Sequence, residues 1–179
     1  MTEVILVDEY DVPNGLMEKM KAHEQGVLHR AFSIFIFNTK GEMLLQRRAR
    51  NKYHNGGLWS NTCCSHPLPT EDTLSAAQRR LKEEMGFNTQ LAKIFDFKYK
   101  VTFENGLTEH EFDHVFIGEY EGEINANFNE VSDFCFMNTQ EIRQSINSYP
   151  DKFTAWFKIA FEKVIEKKES LVSIEKSLN

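Results

Sequence analysis

Six histidines and a pair of glutamates provide this sequence with residue types that commonly bind metal ions. Three of the histidines, His23, His29 and His66, lie near other candidate ligands. Glu109 and Glu111 are two positions apart in a predicted strand, so their side chains point to the same face of it. Three imidazoles and two carboxylates would suit octahedral Mg²⁺ or Mn²⁺, or Zn²⁺ with expanded coordination. The two glutamates could equally form an exposed strand face.

A thiol and an imidazole lie close together in the segment 60–67 (SNTCCSHP), where Cys64 precedes His66 by two residues. Alone, this spacing is equally typical of small buried cysteines beside a surface histidine. A free thiol, with a pKa of about 8.5, is mostly protonated at pH 7, so it can act as an acid or, once ionised, as a base. We assign the other histidines to structural or surface roles: His54, His110 and His114.

Charged residues recur at regular spacing in the segment 70–86, where helix formers and a closing Gly86 predict a helix. Arg80 and Glu84 lie four residues apart, one helical turn, and share a face. On charge alone, the segment is typical of a solvated amphipathic helix with ion pairs. Its charged residues of interest are Glu71, Arg79, Arg80, Glu83 and Glu84.

The elements that position these residues follow from the apolar pattern and the turn residues. Strands are predicted at 4–7, 30–37, 42–47, 95–103, 109–120 and 131–137, and helices at 16–24, 70–85, 139–147 and 152–168. Hairpin turns are predicted at 38–41 and 104–106, and a loop at 52–59. Because strands and helices mix without regular βαβ alternation, we predict an α+β fold with a mixed or largely antiparallel sheet. We expect one domain over 1–168 and a polar, frayed tail over 169–179.

Composition excludes several classes of protein. With 179 residues, 41% of them hydrophobic and 12% aromatic, the chain can form one sizeable core and is not of the disordered class. The sequence lacks an apolar run of the length that spans a membrane and a basic, apolar leader. A net charge of −6 argues against a general nucleic-acid surface, while local basic clusters at 47–52 and 79–82 favour binding of one small anion. Three cysteines, an odd number, favour a reducing, cytoplasmic location.

These motifs resemble those of one known family. The spacing from Glu71 through Arg79 to Glu83, Glu84 and Gly86 resembles the Nudix box, whose helix holds Mg²⁺ against a diphosphate. The segments 28–32 (LHRAF) and 61–67 (NTCCSHP), this box and Glu-x-Glu at 109–111 follow the order seen in type I isopentenyl-diphosphate Δ-isomerases. The resemblance covers about residues 18–156. It implies a single compact Nudix domain with a mixed or antiparallel sheet flanked by helices.

The sequence departs from the Nudix box at two positions. Ser65 occupies the place of the first glycine, and Arg80 the place of a glutamate that hydrolases use to bind metal. Losing that carboxylate weakens the hydrolytic metal cage, and the arginine adds a phosphate ligand. This combination favours a different reaction on a diphosphate. The loop 52–57 (KYHNGG) also lacks the aromatic-Pro-Gly run of many members.

The resemblance implies conversion of isopentenyl diphosphate to dimethylallyl diphosphate by a 1,3-proton shift. It makes Cys64 and Glu111 the catalytic pair on opposite faces of the allyl unit, with Tyr99 assisting the glutamate and Trp156 facing the developing cation. It assigns one divalent ion, Mn²⁺, Mg²⁺ or Zn²⁺, to His23, His29, His66, Glu109 and Glu111. A second ion, Mg²⁺ bound with the diphosphate, would use Glu84 and the backbone carbonyl of Cys64. Diphosphate-binding positions match Lys19, Arg48, Lys52 and Arg80.

Two alternatives remain beside the isomerase hypothesis. A Nudix pyrophosphohydrolase would cleave a nucleotide or isoprenoid diphosphate, and Arg80 argues against it. A catalytically silent Nudix-like binding module would not need the thiol and the ligand set. Under each hypothesis the expected partner is a small-molecule diphosphate, not a nucleic acid or a membrane, and the expected state is a monomer or weak homodimer.

Overall fold

The computed structural model describes residues 2–52 and 54–177. Within these residues, the strands are β1 (Glu3–Val7), β2 (Pro13–Glu18), β3 (His29–Phe37), β4 (Met43–Arg48), β5 (Trp59–Ser60), β6 (Cys63–Ser65), β7 (Ala92–Thr102), β8 (Thr108–Glu119) and β9 (Val131–Met137). The helices are α1 (Lys19–Gln25), α2 (Thr73–Met85), α3 (Thr139–Ser148) and α4 (Ala155–Ser177), with a short 3₁₀ helix at Pro150–Lys152.

The strands form one mixed sheet with β3 at its centre. β3 runs parallel to β8 and antiparallel to β1, β4 and β6. β8 also pairs antiparallel with β7, and β4 with β5 and β9. The predicted hairpin after β3 is present, with Ile36 opposite Leu44. The α+β class and the mixed sheet are therefore confirmed.

Helices cover both faces of the sheet because side chains of β3 alternate between two apolar cores. Phe35 points to one core, where its ring stacks on that of Phe157 of α4 at 6.2 Å between centroids. Ile34 belongs to the other core, together with Leu81 of α2. All four side chains are fully buried. The continuous apolar run that predicted a buried strand thus reflects burial on both sides.

The first predicted helix begins later than expected. Residues 13–18 were assigned in part to a helix over 16–24, but they form β2, which pairs antiparallel with β1. Glu18 ends this strand and caps α1, since its carboxylate accepts hydrogen bonds from the backbone N–H groups of Met20 and Lys21 at 3.0 and 2.9 Å. Pairing with β1 is a tertiary interaction that overrides the local helix-forming pattern.

The last helix also differs from its prediction. It was expected at 152–168, whereas α4 starts at Ala155, after the 3₁₀ helix, and continues to Ser177. The division into a domain over 1–168 and a frayed tail stays a prediction. Residue 53 of the predicted loop and residues 178–179 of the predicted tail lie outside the described residues. Among the described helices, none is long and apolar enough to cross a bilayer.

Gly86 ends α2 as predicted, in the left-handed conformation with φ of 79°. Its N–H donates to the carbonyl of Lys82 at 3.0 Å, and a Cβ at this position would collide with the backbone of Asn125. Only glycine satisfies both constraints without strain. The helix end is thereby packed directly against the segment 120–130.

Replacing Gly86 by alanine is expected to lower the free energy of unfolding by about 2 to 4 kcal/mol, from left-handed strain and a backbone collision together. Gly41 is a matched control, because its φ is 77° but a Cβ there would meet nothing within 4 Å. Gly41→Ala should therefore show the strain alone, about 1 kcal/mol. Urea unfolding of both variants measures the difference. Equal losses would contradict a steric role for the contact with Asn125.

Candidate active site

Strand register brings the five predicted metal-type ligands together. Parallel pairing of β3 with β8 places His29 directly opposite Glu111, and Glu109 lies two residues earlier on the same face of β8. His23 comes from α1, and His66 directly follows β6, a neighbour of β3. Residues from four separate elements thus meet at one end of the sheet.

The imidazoles are aimed at the carboxylates. The Nε2 atoms of His66 and His29 lie 2.8 and 3.6 Å from Oε1 of Glu111, and Nε2 of His23 lies 3.3 Å from Oε1 of Glu109. Behind the rings, Nδ1 of His23 contacts the carbonyl of Lys19 at 2.7 Å, and Nδ1 of His29 that of Val27 at 2.8 Å. A proton held on Nδ1 leaves the Nε2 lone pair available to a metal ion.

The charge states also suit metal binding. Burial lowers the pKa of His66 to about 4, so its ring is neutral at pH 7. Burial opposes ionisation of Glu111, but the imidazoles of His29 and His66 beside it outweigh burial and hold the pKa of that carboxyl well below its usual range. Neutral imidazoles and ionised carboxylates are the forms that ligate metals.

The spacing of the donor atoms fits one divalent ion. Those of His23, His29, His66 and Glu111 all lie within 4.8 Å of one another. In an octahedral site with bonds of about 2.1 Å, ligand atoms are about 3 Å apart when adjacent and about 4.2 Å apart when opposite. Among the described residues, Nε2 of His29 and Oε2 of Glu109 are buried without a hydrogen-bond partner. An ion would satisfy both.

His54, to which the sequence analysis assigned a structural or surface role, lies against this cluster. It is 5% exposed, and its Nε2 contacts Oε1 of Glu109. Together with His23 and Glu109 it forms a second possible group of metal ligands. It lies in a loop between β4 and β5, where no periodicity indicates which way a side chain points. His110 and His114 do have structural contacts, to the carbonyl of Gly26 and to Asp11.

One pocket adjoins this cluster and contains most of the predicted functional residues. Besides the ligands, its lining includes the expected catalytic and anion-binding side chains. His23 and His29 were predicted as site residues but do not line the pocket. His54 and Ser65 line it, although neither was predicted as a site residue. The lining residues are Lys19, Arg48, Lys52, His54, Cys64, Ser65, His66, Arg80, Glu84, Tyr99, Glu109, Glu111 and Trp156.

A thiol and a tyrosine–carboxylate pair both face this pocket. The hydroxyl of Tyr99 donates to Oε2 of Glu111 at 2.6 Å, and its burial raises the pKa of the phenol well above its usual value. Burial also raises the pKa of Cys64 to about 12, so it is a thiol at pH 7. Arg48 donates to its Sγ at 3.9 Å. Two groups that can exchange protons therefore line one cavity.

Known relatives identify the chain. It matches the NUDIX domain family over residues 27–157. It is 50% identical over 164 residues to the isopentenyl-diphosphate Delta-isomerase of Pectobacterium atrosepticum, covering 92% of each chain. It is also 50% identical over 155 residues to isopentenyl-diphosphate Delta-isomerase 2 of Photorhabdus laumondii, covering 87% of this chain and 88% of the relative. The chain belongs to the type I isopentenyl-diphosphate Delta-isomerase family, within the Nudix superfamily.

Solved structures agree on the fold. The MutT protein of Methanosarcina mazei Go1 superposes with a TM-score of 0.65 at 20% identity, over 79% of this chain and 95% of that one. A MutT NUDIX hydrolase of Burkholderia pseudomallei gives a TM-score of 0.61 at 18% identity, over 76% and 98%. The Nudix fold expected from the sequence is confirmed.

In this isomerase-family chain, two residues of the Nudix box, Glu71 and Arg79, bind each other and hold the start of α2 in place. Arg79 donates two hydrogen bonds of 2.7 Å to the carboxylate of Glu71, which also accepts one from the N–H of Leu68 at 3.2 Å. The pair ties the loop before α2 to the middle of the helix. A bidentate arginine–carboxylate pair fixes orientation as well as distance.

Two other residues of this segment, Arg80 and Glu84, line the pocket. Arg80 donates to Oε1 of Glu84 at 2.5 Å, and Gln46 donates to its Oε2 at 3.0 Å. Glu84 is only 4% exposed, so these bonds hold a buried carboxylate in place. Lys52 and Arg80 both pair with Glu130. Gln46 and Glu130 were missed by the sequence analysis, since neither belongs to a recognisable motif.

Trp156 is held rigidly at the pocket wall. Its indole N–H contacts the hydroxyl of Ser60 at 3.0 Å and the amide oxygen of Asn61 at 3.2 Å. The guanidinium of Arg48 lies 5.3 Å from the ring centroid. The indole is 3% exposed, so its orientation is fixed before any ligand enters.

Proposed function

We propose that this chain converts isopentenyl diphosphate to dimethylallyl diphosphate by a 1,3-allylic proton shift through a tertiary carbocation. The observation that carries the proposal is the pairing, in one pocket, of the Cys64 thiol with the hydrogen-bonded Tyr99 and Glu111. Protonating an unactivated alkene requires one positioned acid, and removing the allylic proton requires a second group. The names of the relatives support the same reaction.

In this mechanism Cys64 and Glu111 exchange protons with opposite faces of the allyl unit. Because burial raises its pKa to about 12, Cys64 is a thiol at pH 7 and can give its proton to the alkene carbon, which leaves the cation at the neighbouring carbon. Glu111 exchanges a proton through the hydroxyl of Tyr99, which lies 2.6 Å away. The indole face of Trp156 would stabilise the cation by about 0.5 to 2 kcal/mol. A buried pocket also keeps water from trapping the cation.

The cofactors in this proposal are two divalent ions. One would be held by His23, His29, His66, Glu109 and Glu111, and would orient the Glu111 carboxylate while neutralising the buried charge. The second, Mg²⁺, would be held with the diphosphate by Glu84 and the backbone carbonyl of Cys64. Carboxylate and carbonyl oxygens are ligands that Mg²⁺ prefers.

Cationic side chains around the pocket would bind the diphosphate. Lys19, Arg48, Lys52 and Arg80 all line it, which offsets the repulsion expected from a chain with net charge −6. Burial lowers the pKa of Lys19, an effect that the neighbouring Glu109 and Glu111 oppose. We also propose that the enzyme is a monomer or weak homodimer and that it is cytoplasmic, a location supported by its three free cysteines.

Proton NMR of the chain with isopentenyl diphosphate and Mg²⁺ in D₂O tests the reaction. Dimethylallyl diphosphate with deuterium in a methyl group is expected, because the added proton comes from a solvent-exchanging donor. Unchanged substrate under metal-replete conditions would contradict the proposal. Release of phosphate would favour a hydrolase instead.

Replacing Arg80 by glutamine is expected to raise KM for isopentenyl diphosphate at least tenfold and to change kcat much less. A diphosphate contact made equally in the ground and transition states acts on KM. Arg50, which is exposed and outside the pocket lining, is the matched control, since Arg50→Gln removes the same charge. Steady-state kinetics of both variants make the comparison. An equal rise in KM for the two variants would show that Arg80 acts only through the net charge of the chain and does not contact the diphosphate.

A further inference from the structure

His54 is held against the metal-type cluster by packing on three sides. Its ring stacks on Phe103 with centroids 5.2 Å apart and meets the edge of Trp156 at 6.0 Å. The ring of His23 lies 5.6 Å away, and Nε2 of His54 contacts Oε1 of Glu109. Three rings and a carboxylate thus surround this histidine, although it lies on a loop.

Two overlapping groups of donors can hold an ion, and they share His23. One contains His29, His66 and Glu111, and the other contains His54 and Glu109. The Nδ1 atom of His23 is engaged by the carbonyl of Lys19, so Nε2 is the nitrogen left for an ion. One nitrogen lone pair binds one ion, so the two groups cannot each hold an ion through His23 at the same time. The donor atoms of the two groups do not all lie within 4.8 Å of one another, so a single ion would have to draw them together.

We propose that His54 is a sixth protein ligand, completing a site of four imidazoles and two carboxylates around one ion. The proposal rests on the assignment of a resident ion to the His/Glu cluster under the proposed function. The amide nitrogen of Asn55 lies 3.1 Å from Nδ1 of His54. A turn of this amide by 180° would place its oxygen there, where it would accept the Nδ1 proton and leave Nε2 to the metal.

A sixth protein ligand has two chemical consequences. Four imidazoles favour transition ions such as Co²⁺, Ni²⁺ or Zn²⁺ over Mg²⁺, which prefers oxygen ligands and retains several waters. Six protein ligands also leave no octahedral position for substrate. The ion would then orient Glu111 without touching the diphosphate.

Co²⁺ binding to chelator-treated full-length chain, without substrate, tests the proposal. Calorimetry should give one ion per chain, and X-ray absorption at the cobalt edge should count four imidazoles. His54→Ala should weaken binding by about 10- to 100-fold and lower the count to three. His54→Phe keeps the stacking on Phe103 and removes the nitrogen, so it should give the same result if packing is intact. The control His114→Ala removes a histidine whose partner is Asp11 and should change neither value.

An unchanged imidazole count in both His54 variants would overturn the proposal and reduce His54 to a hydrogen-bond partner of Glu109. Absence of Co²⁺ binding to the unaltered chain would overturn it as well. Because the measurement uses no substrate, its outcome is independent of turnover. A failed isomerase assay with six ligands on the ion would contradict the proposed function alone. Turnover without His54 on the ion would contradict this inference alone.

Discussion

Replacing Cys64 by alanine is expected to lower kcat by at least about 10³-fold, because the variant loses a positioned proton donor or acceptor. The thiol belongs to the pocket lining, and its raised pKa of about 12 keeps it protonated at working pH. The metal-type ligands are untouched by the change. Initial rates at saturating substrate and metal, followed by NMR, give the comparison.

Cys135→Ala is the matched control for this thiol. Cys135 is a half-buried free cysteine on β9, outside the pocket lining. Its variant should turn over within about twofold of the unaltered chain, and circular dichroism should show that both variants are folded. A Cys64→Ala chain with a rate within tenfold of normal would remove the thiol from the mechanism.

Replacing Glu111 by glutamine is expected to lower kcat by a similar factor, at least about 10³-fold, and also to weaken metal binding. The amide keeps the size of the side chain and can still accept from Tyr99, but it loses the negative charge. That charge is stabilised in the native site by the neighbouring imidazoles of His29 and His66, which hold the pKa of the carboxyl low. The rate loss should persist at saturating metal, since the carboxylate also exchanges the proton.

Glu119→Gln is the control for Glu111, because it makes the same change at the exposed end of the same strand. Its rate and metal affinity should match those of the unaltered chain. Recovery of the Glu111→Gln rate at high metal concentration would leave Glu111 as a ligand and exclude it as a proton carrier. Measuring kcat across a metal titration separates the two roles.

Local patterns in the sequence predicted most of the elements. The apolar run of β3, the turn after it and the glycine at the end of α2 are local signals, and each is confirmed. β9 lies at Val131–Met137, as predicted. The start of α1 was wrong because residues 13–18 pair with β1, and such pairing leaves little local trace.

The sequence by itself determined which chemistry was available: the ligand types, the thiol beside an imidazole, and a Nudix helix with Arg80 in place of a glutamate. Only the tertiary structure decided which of these side chains lie next to one another. Parallel register places His29 opposite Glu111, and loop packing turns His54 onto Glu109. Contacts between residues distant in the chain depend on strand register and on burial of the intervening loops. Neither follows from periodicity within one segment.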